Sequence, residues 1–304
     1  MESAAIIIQQ ILTMFLYMGA GFVLFKKGLV SKAASASFAN TLIYLVLPCA
    51  ILQSFFTART PEKVTALWLS MLWGIVILIL SIIIASLLFH KHPIENFGAA
   101  FSNAGFMGLP LITAILGADS VFYAAGMIAF LNIFQWFYGQ RILSGLHTKF
   151  SIMTVLKNPL VISLLLGLFF FFTSIQLPTF VTRCIGSVAG LNGPMAMIIL
   201  GFYLAQTNLS SLFGKLSTYW VSMIRLFAIP IVTLVFLAII PGLPTDIKLA
   251  LLLAASAPIG ANVAVYAQKV GKDYVYAVET VCLSTLFSIC SIPLIIVLAE
   301  KVFI

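Results

Sequence analysis

Long apolar runs separated by short polar segments dominate the chain. Ten of these runs are bounded by charged or turn-forming residues and reach the roughly 17 residues that a helix needs to cross a bilayer. The pattern therefore predicts an all-α polytopic membrane protein with ten membrane-spanning helices, numbered here as spans one to ten. The predicted ranges are 5–25, 37–57, 65–89, 97–117, 121–144, 159–177, 184–206, 217–240, 247–269 and 273–299.

Spans four and nine differ from the others because polar and turn-forming residues interrupt each of them near its middle. Proline removes a backbone donor and clashes with the preceding turn, and glycine lowers the cost of unwinding. Since unpaired backbone groups are not tolerated against lipid, such breaks lie inside the protein or beside a watery cavity. We expect the two breaks to face each other near the membrane midplane. They read Asn103-Ala-Gly105-Phe-Met107-Gly108-Leu-Pro110 and Ser256-Ala-Pro258-Ile-Gly260-Ala-Asn262.

Composition excludes a soluble protein. Hydrophobic residues make up 62% of the 304 positions and charged residues 8%, whereas soluble domains have about 45–50% apolar and about 25% charged residues. So few charges do not cover a water-facing surface. Ten spans use on the order of 200 residues, which leaves no room for an appended enzyme domain.

The Lys and Arg residues fall unequally on the two sides of the membrane. Because cytoplasmic loops carry the excess of positive charge, the richer side is predicted to be cytoplasmic, with both termini outside a plasma or inner membrane. Arg225 is left inside span eight and is expected to extend to the interface. The net charge of +8 thus indicates topology rather than a nucleic-acid-binding face. The richer side holds Lys26, Lys27, Lys32, Lys91, Arg141, Lys149, Lys157, Lys215, Lys269 and Lys272, and the other holds Arg59, Lys63, Arg183, Lys248 and Lys301.

Ordered matches between the two halves indicate an internal repeat. Pro48 and Pro194 are 146 positions apart, and Pro110 and Pro258 are 148 apart. A third match pairs the segments 117–124 and 271–277, at an offset of 154. Five spans in each copy is an odd number, so the second copy must run through the membrane in the opposite direction, as in secondary transporters. We expect repeats at 1–145 and 159–304, joined by a cytoplasmic linker at 146–158.

The two breaks are the predicted binding site. Helix N-termini there carry partial positive charge and unpaired amides, which suit an anion, and an Asn amide donates to a carboxylate without burying a cation. The alternative is that the prolines only kink their helices and the Asn residues bond between helices. The expected substrate-binding residues are Asn103, Gly105, Met107, Gly108, Ser256, Gly260 and Asn262, and the expected helix-break prolines are Pro110, Pro258, Pro48 and Pro194.

Other polar residues offer little further chemistry. Glu279 is the one acid expected deep in a span, and it is a candidate coupling carboxylate or an interfacial acid. We expect no enzyme, no metal site and no cofactor, because the histidines lack ligand spacing and no catalytic motif is present. A channel is a second class, since interrupted helices also line pores. The histidines are His90, His92 and His147, and the amides expected to bond between helices are Asn132, Gln135 and Gln206.

The residues around the breaks resemble a known family. The segment from Asn103 to Pro110 is similar to the Asn-x-x-x-Met-Gly-x-Pro stretch of the auxin efflux carrier family, which includes plant PIN-type carriers and bacterial malonate or malate permeases. Tyr44-Leu-Val-Leu-Pro48 and Ser256-Ala-Pro258-Ile-Gly-Ala-Asn262 are similar to further patterns of that family. The similarity extends over essentially the whole chain.

The resemblance implies a fold and a mechanism. The fold is that of bile-acid symporters and certain sodium/proton antiporters, with a scaffold from spans one, two, six and seven and a transport domain from spans three to five and eight to ten. It implies that a small organic anion, a mono- or dicarboxylate, binds where spans four and nine cross and is carried by an elevator motion. A sodium-coupled symporter of the bile-acid type and an anion channel are the alternatives.

The resemblance leaves the partners open. The coupling ion is a proton, sodium or none, and the scaffold faces are expected to support a homodimer. The long cytoplasmic loop of the plant carriers is missing, since about 14 residues join the two halves, and this favours a compact microbial permease over an auxin carrier.

Overall fold

The computed structural model describes residues 2–145, 153, 156–207 and 212–303. Most of the predicted linker 146–158 lies outside these ranges, together with His147 and Lys149. Within the described ranges the chain is helical and forms no strand beyond one isolated bridge between two residues. The helices are α1 Glu2–Lys26, α2 Lys32–Ser54, α3 Pro61–Phe89, α4 Pro93–Ala100, α5 Ala104–Leu116, α6 Ala118–Ser144, α7 Pro159–Thr173, α8 Thr179–Ala189, α9 Asn192–Gln206, α10 Leu216–Ala238, α11 Thr245–Ser256, α12 Asn262–Lys269 and α13 Tyr274–Phe303.

Seven helical segments in the described ranges are long and apolar enough to cross a membrane, and the protein is therefore a polytopic helical membrane protein. Large apolar side chains cover its outer surface; Leu16 and Leu87 are 75% and 74% exposed, which suits contact with lipid. The seven segments are Ile8–Lys26, Lys32–Ser54, Pro61–Phe89, Ala118–Ser144, Thr179–Gln206, Leu216–Ala238 and Tyr274–Phe303, with Ala104–Leu116 and Pro159–Thr173 as shorter apolar helices.

Predicted spans four and nine are each split into two short helices, as their Gly, Pro and Asn residues indicate. Span four becomes α4 and α5, and span nine becomes α11 and α12. Span six is shorter than predicted because Ser174 adopts a left-handed conformation, with φ of 55°, and ends α7. Span seven begins earlier than predicted, at Thr179, and is interrupted at residues 190–191 between α8 and α9.

Three prolines follow wide π-helical turns inside helices that continue through them. Pro48 follows the turn Leu42–Val46, and Pro110 follows Ala104–Gly108; Pro230 in α10 has the same arrangement. Proline has no backbone N–H, so one carbonyl in the preceding turn loses its usual donor. A wider turn lets the carbonyls of that turn accept from other N–H groups. Pro48 and Pro110 therefore lie in continuous helix, and Pro194 lies near the start of α9. Of the four predicted helix-break prolines, Pro258 alone lies in an unwound segment.

Small residues let the helices approach closely. Helices α1 and α9 cross where Gly21 faces Gly201, and an added Cβ at Gly21 would collide with the carbonyl of Ile198. An added Cβ at Gly201 would likewise collide with the carbonyl oxygen of Met18. Close packing of backbones is a usual source of helix association in lipid.

The helices fall into two groups by their contacts. In the first group, α1 packs against α9, and α2 packs against α7 and α8. In the second, α3 packs against α4 and α6, α13 packs against α10, α11 and α12, and α11 contacts both α5 and α6. The groups meet where α1 and α9 contact α5 and α13, and where α2 and α7 contact α6.

Candidate functional site

The two breaks cross each other and pair through their backbones. Ser102 and Ile259 form an antiparallel bridge. The N–H of Asn103 donates to the carbonyl of Pro258 at 2.7 Å, and the N–H of Gly260 donates to the carbonyl of Phe101 at 3.0 Å. Each break thus supplies partners for backbone groups that the other has freed from its helix, which is what a break inside a membrane requires. The crossing of residues 101–103 and 257–261 is called the crossover below.

Gly260 makes the close approach at the crossover possible. A Cβ added at this position would lie 3.1 Å from the carbonyl oxygen of Ser102 and 3.3 Å from that of Phe101. The N–H of the preceding residue, Ile259, donates to the hydroxyl of Ser284 on α13 at 3.1 Å. The crossover is therefore fixed both by its own pairing and by α13.

Four helix ends meet at the crossover. Helices α4 and α11 end there at Ala100 and Ser256, and α5 and α12 begin there at Ala104 and Asn262. The ends of α4 and α11 present carbonyls and carry partial negative charge, whereas the starts of α5 and α12 present amides and carry partial positive charge. The crossover therefore combines two negative and two positive helix poles.

Arg225 binds the two negative poles. Its guanidinium Nη1 donates to the carbonyl of Ala99 in α4 at 3.0 Å, and its Nη2 donates to the carbonyl of Ala255 in α11. The residue is 1% exposed, so the expectation that it extends to the membrane interface is wrong. The reason is that the last turns of α4 and α11 leave carbonyls unpaired at the depth of Arg225, and these accept from the guanidinium where it lies.

Unpaired polar groups collect at the crossover. The amide Nδ2 of Asn103 has no hydrogen-bond partner among the described residues, and Asn103 is 4% exposed. The hydroxyls of Ser102 and Ser256 are also buried and lack a partner within the described part of the chain. Buried polar groups are normally hydrogen-bonded, so this concentration at one place points to a ligand that satisfies them.

Asn192 connects the first turn of α5, next to the crossover, to a cavity. Its Nδ2 donates to the carbonyl of Gly105 at 2.8 Å, and its Oδ1 is buried with no partner in the described ranges. The cavity has a volume of about 790 Å³ and lies between α1, α2, α5, α8, α9 and the start of α6. Asn103 is not one of its lining residues. Polar lining residues include Gln10, Thr13, Gln53, Asp119, Arg183 and Asn192.

A family model described as membrane transport protein matches the chain in two stretches, residues 6–155 and 145–296. The chain belongs to the auxin efflux carrier family. This family includes PIN-like carriers and malonate or malate permeases, so the resemblance seen around Asn103 and Pro110 is confirmed. No protein of curated function matches the chain.

The predicted site residues of this carrier-family chain separate into two sets. Asn103 and Gly260 lie in the crossover, and Ser256 directly precedes it at the end of α11. Met107 and Gly108 lie beyond it in α5 and face other helices: the Met107 sulfur accepts from the hydroxyl of Ser288 at 3.8 Å, and a Cβ at Gly108 would lie 3.4 Å from the Cα of Ala254. Gly105 takes part through its carbonyl, which accepts from Asn192.

Asn262 is already bonded to a neighbouring helix. Its Nδ2 donates at 2.7 Å to Oε1 of Gln135, which lies in α6 and is 1% exposed. This is the interhelical bond expected of Gln135. Asn132 instead donates to the carbonyl of Ile128 in its own helix at 2.8 Å. The Asn residues of the two breaks therefore differ: the amide of Asn262 is bonded to α6, and the amide of Asn103 has no partner among the described residues.

The amide of Gln206 also bonds mainly within its own helix. Its Nε2 donates to the carbonyl of Phe202 at 3.1 Å and reaches the hydroxyl of Ser35 in α2 at 3.5 Å. The second contact is the interhelical bond that the sequence predicts, although a long one.

Glu279 lies away from the crossover, near the start of α13. Its carboxylate is 1% exposed and accepts from the Nζ of Lys215 at 2.9 Å. Beside it, the hydroxyl of Tyr276 donates to Glu95 at 2.9 Å and contacts Ser217 at 2.8 Å. Glu279 is thus a buried carboxylate that is paired with a cation, which is the condition under which a buried charge is tolerated.

Sequence reasoning missed Asn192 and misplaced Arg225. A usable signal for Asn192 was its position two residues before Pro194, the proline that the repeat matches to Pro48. No signal in the sequence shows that α9 touches the break in span four, because that contact exists only after the two groups of helices have packed together.

Proposed function

We propose that this member of the auxin efflux carrier family is a secondary transporter of a small organic anion, a mono- or dicarboxylate, which binds at the crossover. The observation that carries the proposal is the buried amide of Asn103, which lies at the crossing of two broken helices without a partner among the described residues. A carboxylate oxygen is an acceptor that such an amide binds well.

The charge arrangement at the crossover also favours an anion. Arg225 donates to carbonyls of the two helix ends that carry partial negative charge. The starts of α5 and α12 keep their partial positive charge, which favours an anion at a helix N-terminus. In α12 the N–H groups of Val263 and Ala264 already donate to the carbonyls of Gly260 and Ala261, so α5 is the helix whose start offers its amides. The anion is then held by amides and helix poles, and such binding permits moderate affinity and release.

The proposed architecture has ten crossings in two inverted copies. The seven long segments are joined by Pro159–Thr173 and by the two interrupted pairs, α4 with α5 and α11 with α12. The contacts support a repeat. Helix α1, which is span one, packs against α9 in span seven, and α7, which is span six, packs against α2, which is span two. Exchanging the two copies exchanges these two contacts. Both termini lie outside in this arrangement.

An elevator motion is proposed for alternating access. The scaffold is α1, α2, α7, α8 and α9, and the transport domain is α3 to α6 with α10 to α13. The cavity lies between the scaffold and α5, and its lining residues Gln53, Asp119 and Arg183 belong to helix ends that the topology places outside. The cavity is therefore the proposed outer entrance, and the bond from Asn192 to Gly105 spans the boundary along which the domains slide.

Other finer points stay proposals. Gly105, Met107, Gly108 and Ser256 are proposed to shape the site, and a homodimer through the scaffold is proposed for the assembly. Glu279 is proposed as a coupling carboxylate, supported by its burial and its bond to Lys215. A membrane-embedded enzyme is not proposed, because the family is one of transporters.

The test is uptake by purified protein in liposomes, with a panel of labelled acetate, malonate and malate and with sodium and pH gradients varied separately. The proposal expects saturable uptake and trans-stimulation by unlabelled substrate, which a channel does not give. Replacing Asn103 by Ala is expected to weaken binding by about 1–3 kcal/mol, the loss for an unmade hydrogen bond to a charged group. Unchanged affinity and rate in Asn103→Ala would show that the site is elsewhere.

A matched control for Asn103→Ala is Asn132→Ala. Asn132 is an amide on a buried helix as well, but it bonds to the carbonyl of Ile128 within α6. Its removal is expected to leave the affinity for the carboxylate unchanged. Equal losses in the two variants would indicate a general effect on folding.

A further inference from the structure

Arg225 joins the two helices that lead into the breaks. It lies in α10, within the π-helical turn Ile224–Ala228, and its side chain reaches the last turns of both helices that lead into the breaks. One amino group donates to Ala99 of α4 and the other to Ala255 of α11. The residue is 1% exposed, so this is a buried positive charge that joins the two copies of the broken helix.

The groups that Arg225 binds are those that usually hold a coupling cation. In transporters with broken helices, half-helix C-terminal ends and unwound carbonyls coordinate sodium, while half-helix N-termini face the anionic substrate. Here the carbonyls of both C-terminal ends accept from a guanidinium instead. A sodium ion at the same carbonyls would meet a like charge within a few ångströms in a medium of low polarity, and the repulsion would be large.

We propose that Arg225 is a positioning residue that acts as a built-in cation of the crossover, in the place of a coupling sodium ion, so that the carboxylate is carried without sodium. This inference rests on the proposed function, because it concerns the same site. It distinguishes the protein from a sodium-coupled symporter, in which the cation must arrive with the substrate.

The shape of the arginine side chain suits this role. A guanidinium is planar and carries several donors in a fixed fork, so it reaches two carbonyls at once. The other polar side chains on this face of α10 do not compete for the two helix ends, because Thr218 donates to the carbonyl of Lys215 just before α10 and Ser222 donates to the carbonyl of Thr218. Its Nε is buried without a partner in the described part of the chain, which leaves one donor at the crossover unused by protein groups.

Arg225 also changes the electrostatic potential that a bound anion meets. With the negative ends of α4 and α11 neutralised, the amides at the starts of α5 and α12 dominate the local potential. Removing the guanidinium would restore the negative ends and leave two buried carbonyls unpaired. Affinity for the carboxylate should therefore fall when Arg225 is lost, although Arg225 is not placed in contact with the substrate.

The first experiment measures counterflow exchange of labelled malonate, malate and acetate by the purified protein in liposomes, in sodium, potassium and choline media. The result expected is the same exchange in all three media for the carboxylate that the protein exchanges best. A strict requirement for sodium would overturn the inference while leaving the proposed function standing. Exchange of none of the carboxylates would instead contradict the proposed function.

The second experiment replaces Arg225 by Ala and supplies guanidinium ion at millimolar concentration. The apparent KM of Arg225→Ala is expected to rise about tenfold or more, as for loss of a charge-assisted hydrogen bond, and guanidinium is expected to restore part of the affinity. The matched control is Arg59→Ala, which removes an exposed guanidinium that donates to a single carbonyl, that of Phe172. Guanidinium should not change its KM. An unchanged KM in Arg225→Ala, or a raised KM that guanidinium does not lower, would overturn the inference.

A third variant covers the case in which Arg225→Ala does not fold. Arg225→Lys keeps the charge but donates from a single ammonium. Its KM is expected to lie between those of the wild-type protein and a charge-free variant such as Arg225→Met, and its exchange should stay independent of sodium. Equal KM values for Arg225→Met and the wild-type protein would show that no cation is needed at the two helix ends, and the inference would fail.

Discussion

Replacing Gly260 by Ala tests whether the two breaks are paired as closely as the structure places them. The added Cβ would lie 3.1 Å and 3.3 Å from the carbonyl oxygens of Ser102 and Phe101. Neither oxygen belongs to a flexible side chain. The Phe101 carbonyl already accepts from the N–H of Gly260 at 3.0 Å, so moving the breaks apart lengthens that bond.

Two opposing effects set the change in the free energy of unfolding that is expected for Gly260→Ala. Overpacking in a tightly packed interior costs about 1–3 kcal/mol. Replacing Gly by Ala recovers about 0.4–1 kcal/mol, because the unfolded chain loses freedom, and Gly260 does not adopt a positive φ that would add strain. The net prediction is a destabilisation of about 1–2 kcal/mol. It corresponds to a fall of a few degrees in the unfolding midpoint of a protein of this size.

The control is the same substitution at Gly108, also beside the crossover. Its Cβ would lie 3.4 Å from Ala254 Cα and 3.6 Å from Ala104 Cβ, which are ordinary contacts, and Gly in a helix is less favourable than Ala by about 0.5–1 kcal/mol. Gly108→Ala is therefore expected to raise the midpoint where Gly260→Ala lowers it. Thermal unfolding in detergent, followed by tryptophan fluorescence, measures both. A Gly260→Ala protein as stable as the wild type would refute the close pairing of the breaks.

Two further substitutions test the polar contacts of Asn262 with Gln135 and of Glu279 with Lys215. Gln135→Leu removes the acceptor of the Asn262 amide and is expected to destabilise the protein by about 1–3 kcal/mol, the cost of leaving a buried donor unsatisfied; Asn132→Leu, which breaks a bond within one helix, should cost less in the same thermal assay. Lys215→Met removes the ammonium that donates to the buried carboxylate of Glu279 and is expected to destabilise the protein by on the order of 3 kcal/mol, the lower end of the roughly 3–5 kcal/mol for breaking a buried ion pair, because Lys215 is half-exposed. Adding Glu279→Gln should recover most of that loss, and a double variant less stable than Lys215→Met would contradict the pairing.

The sequence predicted the breaks well because their cause is local. Gly, Pro and Asn in mid-span lower the cost of unwinding wherever the helix lies, and both predicted breaks are present. The meeting of the breaks was also predictable, since freed backbone groups need partners away from lipid. The effect of Pro110 was less accessible, because a π turn accommodates a proline without ending the helix, and the unwound residues lie seven positions before it.

The place of Arg225 was not predictable from its neighbours along the chain. An arginine two turns inside a span normally extends to the interface, and the sequence does not tell at which depth α4 and α11 end. The contact requires α10 to pack against both helix ends. For the same reason the amides of Asn103 and Asn262 look alike in sequence and differ in the fold, where the first has no partner among the described residues and the second bonds to Gln135.

An experimental structure of the protein with a transported carboxylate bound would test directly whether the substrate binds at the crossover. We expect a carboxylate oxygen within about 2.7–3.2 Å of the Nδ2 of Asn103, at the starts of α5 and α12, with Arg225 still bonded to Ala99 and Ala255. A carboxylate held in the outer cavity alone, beside Arg183, with the Asn103 amide still unpaired, would contradict it.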